Sequence, residues 1–321
     1  MNLNSTKKPL VVVLGGLGFI GSHLSRALFH AGFSVRIFDK LYTSRELIED
    51  IESSVEVIEG DAERPQDVLG ALSGGEICFH LIHTTVPGSS MQDPGYDVQS
   101  NVVSSARWMS QLHRISIRSL FFISSGGTVY GFPQTNPITE DHPTNPLCSY
   151  GITKLSIEKY ALLYGNLYGI ECRILRPSNV YGEGQKLNIN QGIIGVFADR
   201  ILREQPIEIW GDGAGLRDYL YVDDLTSGIL KLMEYRGPYT IFNISNGEGH
   251  SVLEIIEILG EIFGKKPQLA FKPPRGFDVP VNILSSHRLR EETGWHPRTK
   301  LREGIKQYIH WLHRFKIAHD R

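Results

Sequence analysis

Short, continuous apolar runs alternate with helix-period stretches through the first half of this 321-residue chain. PLVVVLGG is apolar at almost every position, as expected of a strand buried on both faces. FIGSHLSRALFHAG then repeats its apolar residues at helical spacing and stops at Gly32. SVRIFD, VEVIEGD, EICFHL and SLFFISS read as the second to fifth strands. SYGITKLSIEKYALLYGNLYG reads as a long helix and ECRILRP as a sixth strand. Such alternation predicts an α/β fold, a doubly wound parallel sheet with helices on both faces.

The alternation loosens after residue 181. EGQKLNINQG is a polar loop. A helix is expected around Val196 to Arg203, then a strand at IEIWG, a strand at YTIFNIS, and helices at SVLEIIEILGEIFG and LREGIKQYIHWL. We therefore expect a Rossmann-type domain over 8–180. A smaller mixed α/β substrate lobe is expected over 181–321, with segments around 218–245 as candidates for return to the first domain. Ligands of open α/β sheets bind at the carboxyl edge of the strands.

Composition adds exclusions. A net charge of −2 offers no broad field for nucleic acid or an anionic membrane. No stretch approaches the ~20 apolar residues of a membrane helix, and the polar start MNLNSTKKPL lacks the apolar core of a signal peptide. Three cysteines without metal-ligand spacing fit a reduced, cytoplasmic compartment. The histidines show no metal spacing either, so no metal is expected. Cys148 has no accompanying His–Asp arrangement and reads as a bystander.

Residues 11–21, VVVLGGLGFIG, place Gly15, Gly18 and Gly21 between a strand and a helix. A tight turn and a helix N-terminus suit a pyrophosphate. The pattern alone is also met in glycine-rich turns that hold no ligand. Asp39 strengthens the ligand reading. It ends the second strand, where a carboxylate can accept bonds from adenosine ribose hydroxyls and would repel a 2′-phosphate, which favours NAD over NADP. Asp61, closing VEVIEGD, is a candidate for the adenine end or simply a turn residue.

Tyr150 and Lys154 are four apart and share one helix face. A neighbouring ammonium favours the phenolate, which would make the pair a proton acceptor near neutral pH. Beside them stands SSGGTVYG, residues 124–131, at the end of the fifth strand.

These motifs in this order resemble the extended short-chain dehydrogenases/reductases, and within them the NAD-dependent epimerase/dehydratase family of nucleotide-sugar enzymes. GGLGFIG, FHLIH, Asn101, SSGGTVYG, YGITK, LRPSNVYG, GDGAGLRDYLYVDD and GWHP carry the likeness over nearly the whole chain. The resemblance implies bound NAD, held by Gly15, Gly18, Phe19, Ile20, Gly21, Asp39, Asp61, Ala62, Leu81, Ile82, Tyr150, Lys154 and Pro177. It implies Tyr150 as the catalytic base, with Lys154 holding the cofactor ribose and tuning the phenol. In the 4-epimerase pattern the substrate-facing hydroxyl lies three residues before Val129, where this chain has Gly126. Ser125 is the expected donor, Thr128 the alternative, and a site without this hydroxyl remains open. Ser124 is expected near the nicotinamide or in packing. Gly127 and Thr128 replace the acid pair of 4,6-dehydratases, which argues against that reaction.

On the substrate side the resemblance implies a nucleotide diphosphate contacted by Asn179, Arg217, Arg275 and Asp278. Arginine's planar fork bonds phosphate oxygens in pairs. Asn282 falls where 4-epimerases place a residue over the sugar C2 substituent, and its size leaves room for an N-acetyl group. The expected activity is nucleotide-sugar 4-epimerisation by transient oxidation at C4. A 4-keto nucleotide-sugar reductase and a non-catalytic dinucleotide-binding protein are the alternatives. Family members commonly dimerise through two long helices, and those near 98–113 and 150–168 are the candidates for a homodimer.

Overall fold

The computed structural model describes residues 8–185, 192–274 and 279–319, with side chains of the last helix described through Arg314. In chain order the elements begin β1 (Leu10–Leu14), α1 (Phe19–His30), β2 (Ser34–Asp39), β3 (Glu56–Glu59), α2 (Pro65–Leu72), β4 (Ile77–His80), α3 (Pro87–Gln92), α4 (Pro94–Asp97) and α5 (Ser104–Met109). They continue with β5 (Ser119–Ile123), α6 (Ser149–Tyr168), β6 (Glu171–Pro177), β7 (Asn179–Tyr181), α7 (Ile193–Leu202), β8 (Ile207–Trp210), β9 (Leu216–Tyr221) and α8 (Val222–Glu234). The remaining elements are β10 (Ile241–Ile244), β11 (Gly249–Ser251), α9 (Val252–Phe263), β12 (Leu269–Lys272), β13 (Val281–Asn282), α10 (His287–Thr293) and α11 (Leu301–His319).

Two compact units emerge. One comprises the chain up to Val129, Pro146–Arg176 and Arg236–Phe242. The other comprises Tyr130–Asn145, Pro177–Tyr235 and the chain from Asn243. The division differs from the expected cut at 180/181. Tyr130–Asn145 leaves the first unit because Ile138 bonds Ile283 and Ser285, and because Asn243 donates to the Ile138 carbonyl. Of the region 218–245, only Arg236–Phe242 joins the first unit, feeding β10.

The first unit is built on a sheet of order β10-β6-β5-β4-β1-β2-β3. The pairs from β6 to β3 are parallel, with Val13 opposite Ile37 on one side and Phe79 on the other. Val11, Val12, Val13 and Leu14 are fully buried, which is why the first strand needs no polar alternation. Trp108, Phe122, Ile157 and Ala161 pack into the same core, joining α5 and α6 to the sheet.

One predicted helix is interrupted. The stretch near 98–113 opens as a wider π-type turn over Val98–Val103 and becomes α-helical only at Ser104–Met109. Asn101 lies inside the wide turn. Its amide donates to the Asp97 carbonyl and to Asp97 Oδ1, both 2.9–3.0 Å away, and so competes with the regular ladder.

The second unit contains β7, β9, β11 and β13 in one small sheet, and the parallel pair β8–β12. Helices α7, α9 and α11 close on a core that includes Phe197, Tyr219, Ile255 and Tyr308. Asp218, fully buried in β9, ties this unit together. Its carboxylate accepts from Ser178 Oγ and from the backbone N–H groups of Asn246, Gly247 and Leu284.

Candidate active site

In the first unit the turn from β1 into α1 has the geometry of a dinucleotide cradle. Gly15 has φ +85°, a left-handed conformation that favours glycine. A Cβ on Gly21 would run into the Gly15 carbonyl oxygen and lie 2.8 Å from Gly16 Cα, so α1 can approach β1 only with glycine there. A Cβ on Gly18 would meet only the Gly15 oxygen, at 3.4 Å, and otherwise open space. Phe19 and Ile20 form the first turn of α1, where free N–H groups favour an anion.

Asp39 closes the far side of this loop. Its Oδ2 accepts from Leu17 N at 2.9 Å, and its Oδ1 from Lys40 N at 2.8 Å. The carboxylate is thereby fixed at the end of β2. Asp61 is exposed and accepts from Glu63 N at 2.9 Å, a turn-forming contact. The Ala62 carbonyl accepts from Ser104 Oγ, and Leu81 N donates to the Leu14 carbonyl at 2.9 Å. Ile82 packs against Gly15, its backbone N 3.2 Å from where a Cβ would stand. Pro177 ends β6. These residues fit a dinucleotide: a glycine turn, a helix N-terminus and a fixed carboxylate at the second strand.

The candidate reactive residues, Tyr150 and Lys154, stand at the carboxyl end of β5. Lys154 is 3% exposed, and its Nζ donates to the Ile123 carbonyl at 2.9 Å. The same nitrogen lies 5.0 Å from the Phe122 ring centroid and 5.8 Å from that of Tyr150. Burial pulls the ammonium down to about 7, against the attraction of Glu158 and Asp97. Tyr150 behaves differently from the sequence expectation. Burial, then the negative charges available to Cys148 and Asp97, push its phenol up rather than down. Lys154 does not reverse this, because burial weakens its own hold on the proton.

The serine-rich strand end resolves into separate roles. Ser124 Oγ donates to Glu158, which forms a two-pronged pair with Arg176 at 2.6 and 3.0 Å. Ser124 is thus part of a buried network. The Ser125 carbonyl caps the turn, accepting from Thr128 N and Val129 N. Its side chain is partly buried. Thr128 Oγ1 is buried with no hydrogen-bond partner, and the Thr128 carbonyl crowds Gly151, where a Cβ would approach to 2.7 Å. Both candidate hydroxyls therefore flank the Gly126–Gly127 turn.

Sequence reasoning missed a polar cluster beside Tyr150. Asp97 is fully buried and accepts from Thr85 Oγ1 at 2.5 Å, Ser149 Oγ at 2.6 Å and Asn101 Nδ2 at 3.0 Å. Burial pushes its pKa up, but His83 and the Ser149 and Thr85 hydroxyls prevail and hold it at about 2. The His83 ring meets the Tyr150 ring edge-on, centroids 4.6 Å apart at 73°. Burial and the Lys154 charge lower the imidazole to about 4. The sequence signals were an acid four residues before Asn101, the spacing that puts both on one helical face, and the histidine that closes FHLIH. Among the described residues, no group of three or more His, Cys, Asp or Glu could hold a metal ion.

The second unit carries a cavity of about 1030 Å³. Asn179, Phe197, Trp210 and Arg217 are among its walls. Asn179 Nδ2 donates to the Asp218 carbonyl at 2.9 Å, which sets its side chain beside β9. Arg217 Nη1 donates to the Leu216 carbonyl at 3.0 Å. Asn282 pairs in register with Arg217 and is 2% exposed, next to the lining residue Val281. Arg275 and Asp278 lie outside the described residues.

The model of the NAD dependent epimerase/dehydratase family matches residues 11–245. The chain belongs to that family. It is 34% identical to a putative UDP-glucose 4-epimerase of Methanocaldococcus jannaschii, over 94% of this chain and 98% of the relative. It is 32% identical to a dTDP-4-dehydro-6-deoxyglucose reductase of Escherichia coli, over 94% and 97%. Among solved structures, a UDP-glucose 4-epimerase of Thermotoga maritima with UDP-glucose superposes with a TM-score of 0.89 at 32% identity. It covers 96% of this chain and 99% of that one. The fold expected from the alternation, a Rossmann-like parallel sheet with a smaller α/β lobe, is the fold of this family.

Proposed function

We propose that this protein is a nucleotide-sugar 4-epimerase working with bound NAD. The observation that carries the reading is the Tyr150–Lys154 pair at the end of β5, in a chain whose family is defined by NAD-dependent epimerases and dehydratases. The named relatives and the UDP-glucose complex support a nucleotide diphosphate sugar as substrate.

In this reading the cradle of Gly15, Gly18, Phe19, Ile20 and Gly21 holds the pyrophosphate, with Asp39 on the adenosine ribose. Asp61, Ala62, Leu81, Ile82 and Pro177 border the cofactor. NAD, when bound, supplies a hydride acceptor and donor for the sugar C4. Tyr150 takes the proton of the 4-hydroxyl and later returns it. Lys154 holds the cofactor ribose. Ser125 hydrogen-bonds the reacting oxygen. Asn179 and Arg217, with Arg275 and Asp278, grip the diphosphate, so the sugar can turn over while its anchor stays fixed. Asn282 sets the room at C2 for an N-acetyl group.

The protein also dimerises in this reading. Ile152, Tyr160, Leu163 and Leu167 are exposed on α6 and fall within one stripe of its surface, an apolar face of the kind that marks an interface. Light scattering on the purified protein reads its mass, and a monomer would refute the dimer.

The test of the activity is incubation with UDP-glucose and, separately, with UDP-N-acetylglucosamine, without added reductant, followed by chromatography of the products. A C4 epimer from either supports the reading, and Tyr150→Phe should abolish it. A second reading has its own support: the E. coli relative, a dTDP-4-dehydro-6-deoxyglucose reductase, favours a 4-keto nucleotide-sugar reductase. No epimer, with NADH consumed on a dTDP-4-keto-6-deoxy sugar, would replace the first reading by the second.

A further inference from the structure

Tyr150 is held by more than its own helix. Its ring touches His83, and the residues around it on α6 lead to one buried carboxylate. Asp97 accepts from Ser149 Oγ, and it also faces Thr153 Oγ1 at 3.4 Å. These positions bracket Tyr150 on the first turn of the helix. Tyr150 N itself donates to Ser90 Oγ at 3.0 Å. Behind His83 stands the same carboxylate, with Asp97 Oδ1 3.6 Å from His83 Nε2.

The choice of histidine is costly here. The His83 side chain is 6% exposed, and neither ring nitrogen has a hydrogen-bond partner. A buried polar group whose ionic neighbour, Asp97, stands 3.6 Å away recovers only part of the hydration it loses, so an apolar ring would serve plain packing better. What histidine adds is an edge that a carboxylate attracts, and this fixes the plane of the ring that Tyr150 leans on.

We propose that His83, backed by Asp97, is a positioning residue that sets the orientation of the Tyr150 phenol. Asp97 then governs Tyr150 twice, through the Ser149 hydroxyl at the start of the helix and through the ring at His83. The role rests on the reading of Tyr150 as the proton acceptor of a nucleotide-sugar enzyme.

The test compares His83→Ala, His83→Phe and Asp97→Asn in the full-length protein. Steady-state kinetics use UDP-glucose or UDP-N-acetylglucosamine, whichever the wild type converts. In parallel, the protein is labelled with 3-fluorotyrosine, and Tyr150→Phe assigns the ¹⁹F signal of residue 150. A phenol displaced by a fraction of an ångström to an ångström costs turnover rather than affinity. His83→Ala is therefore expected to lower kcat by about 10- to 100-fold with KM little changed. Its residue-150 signal should move or broaden. His83→Phe, which keeps a ring but offers Asp97 no polar edge, and Asp97→Asn should both resemble His83→Ala in kcat and in the signal. Turnover of His83→Ala within twofold of wild type would overturn the proposal. So would wild-type kcat and signal in His83→Phe, which would reduce residue 83 to packing, and so would a kcat loss in His83→Ala while the residue-150 signal stays in place. The ¹⁹F comparison needs no turnover, so a wild type inactive on both sugars would sink the epimerase reading and leave this one to be judged on the signal alone.

Discussion

Replacing Lys154 by methionine should inactivate the enzyme and yet stabilise the protein below neutral pH. The ammonium is 3% exposed and is pulled from its ordinary 10.5 to about 7, chiefly by burial. A base depressed in the folded state binds protons more weakly there than in the unfolded chain. The penalty is fully present below about pH 7 and fades as pH rises from 7 towards 10.5. That interval corresponds to about 5 kcal/mol at ~1.36 kcal/mol per pH unit. Methionine fills a similar volume without charge. It forfeits the bond to the Ile123 carbonyl, which offsets about 1–3 kcal/mol. A net gain of about 2–4 kcal/mol is expected at pH 6. Urea denaturation from pH 6 to 10, without added nucleotide, measures it. Wild type should gain stability through pH 7 to 10 relative to Lys154→Met, so that the two curves meet and wild type, which keeps the bond to the Ile123 carbonyl, draws level or ahead near pH 10. Parallel curves, or a variant less stable than wild type at pH 6, would refute the reasoning, because both require an ammonium that is not penalised by burial.

Other substitutions probe each of the two units. Gly21→Ala drives a Cβ into the Gly15 carbonyl and should cost about 1–3 kcal/mol, with loss of co-purifying NAD read by absorbance and enzymatic assay. Glu158→Ala strips the carboxylate from the buried Arg176 and Ser124 and should cost about 3–5 kcal/mol by chemical denaturation, whereas an unchanged midpoint would show the pair to be dispensable. Arg217→Met should raise KM for the nucleotide sugar by about 10- to 100-fold with a smaller change in kcat, the signature of lost ground-state binding. Asp39→Asn should weaken NAD binding and narrow its preference over NADP, which competition titration would reveal.

Local sequence carried the parts of this protein that depend on near neighbours. The uninterrupted run of Val11–Leu14 marks a strand buried on both faces, and glycine at 15, 18 and 21 marks a turn where side chains would collide. Tyr150 and Lys154 share a face because the helix repeats every 3.6 residues, whatever surrounds it. Tertiary structure decided what depends on distant residues. The phenol of Tyr150 rises rather than falls because burial, a property of the assembled unit, outweighs a lysine that burial has itself weakened. Ser124 and Ser125 are adjacent in the chain, yet only Ser124 is drawn to Glu158, 34 residues away. The tract Tyr130–Asn145 interrupts the first unit in sequence but belongs with residues beyond 240 through long-range backbone bonds. Asp97 carries no motif and His83 only closes FHLIH, and their meeting beside Tyr150 follows from where β4, α4 and α6 come together. Period and spacing are encoded within a few residues, whereas burial and partnership are fixed only when separate stretches of chain share one space.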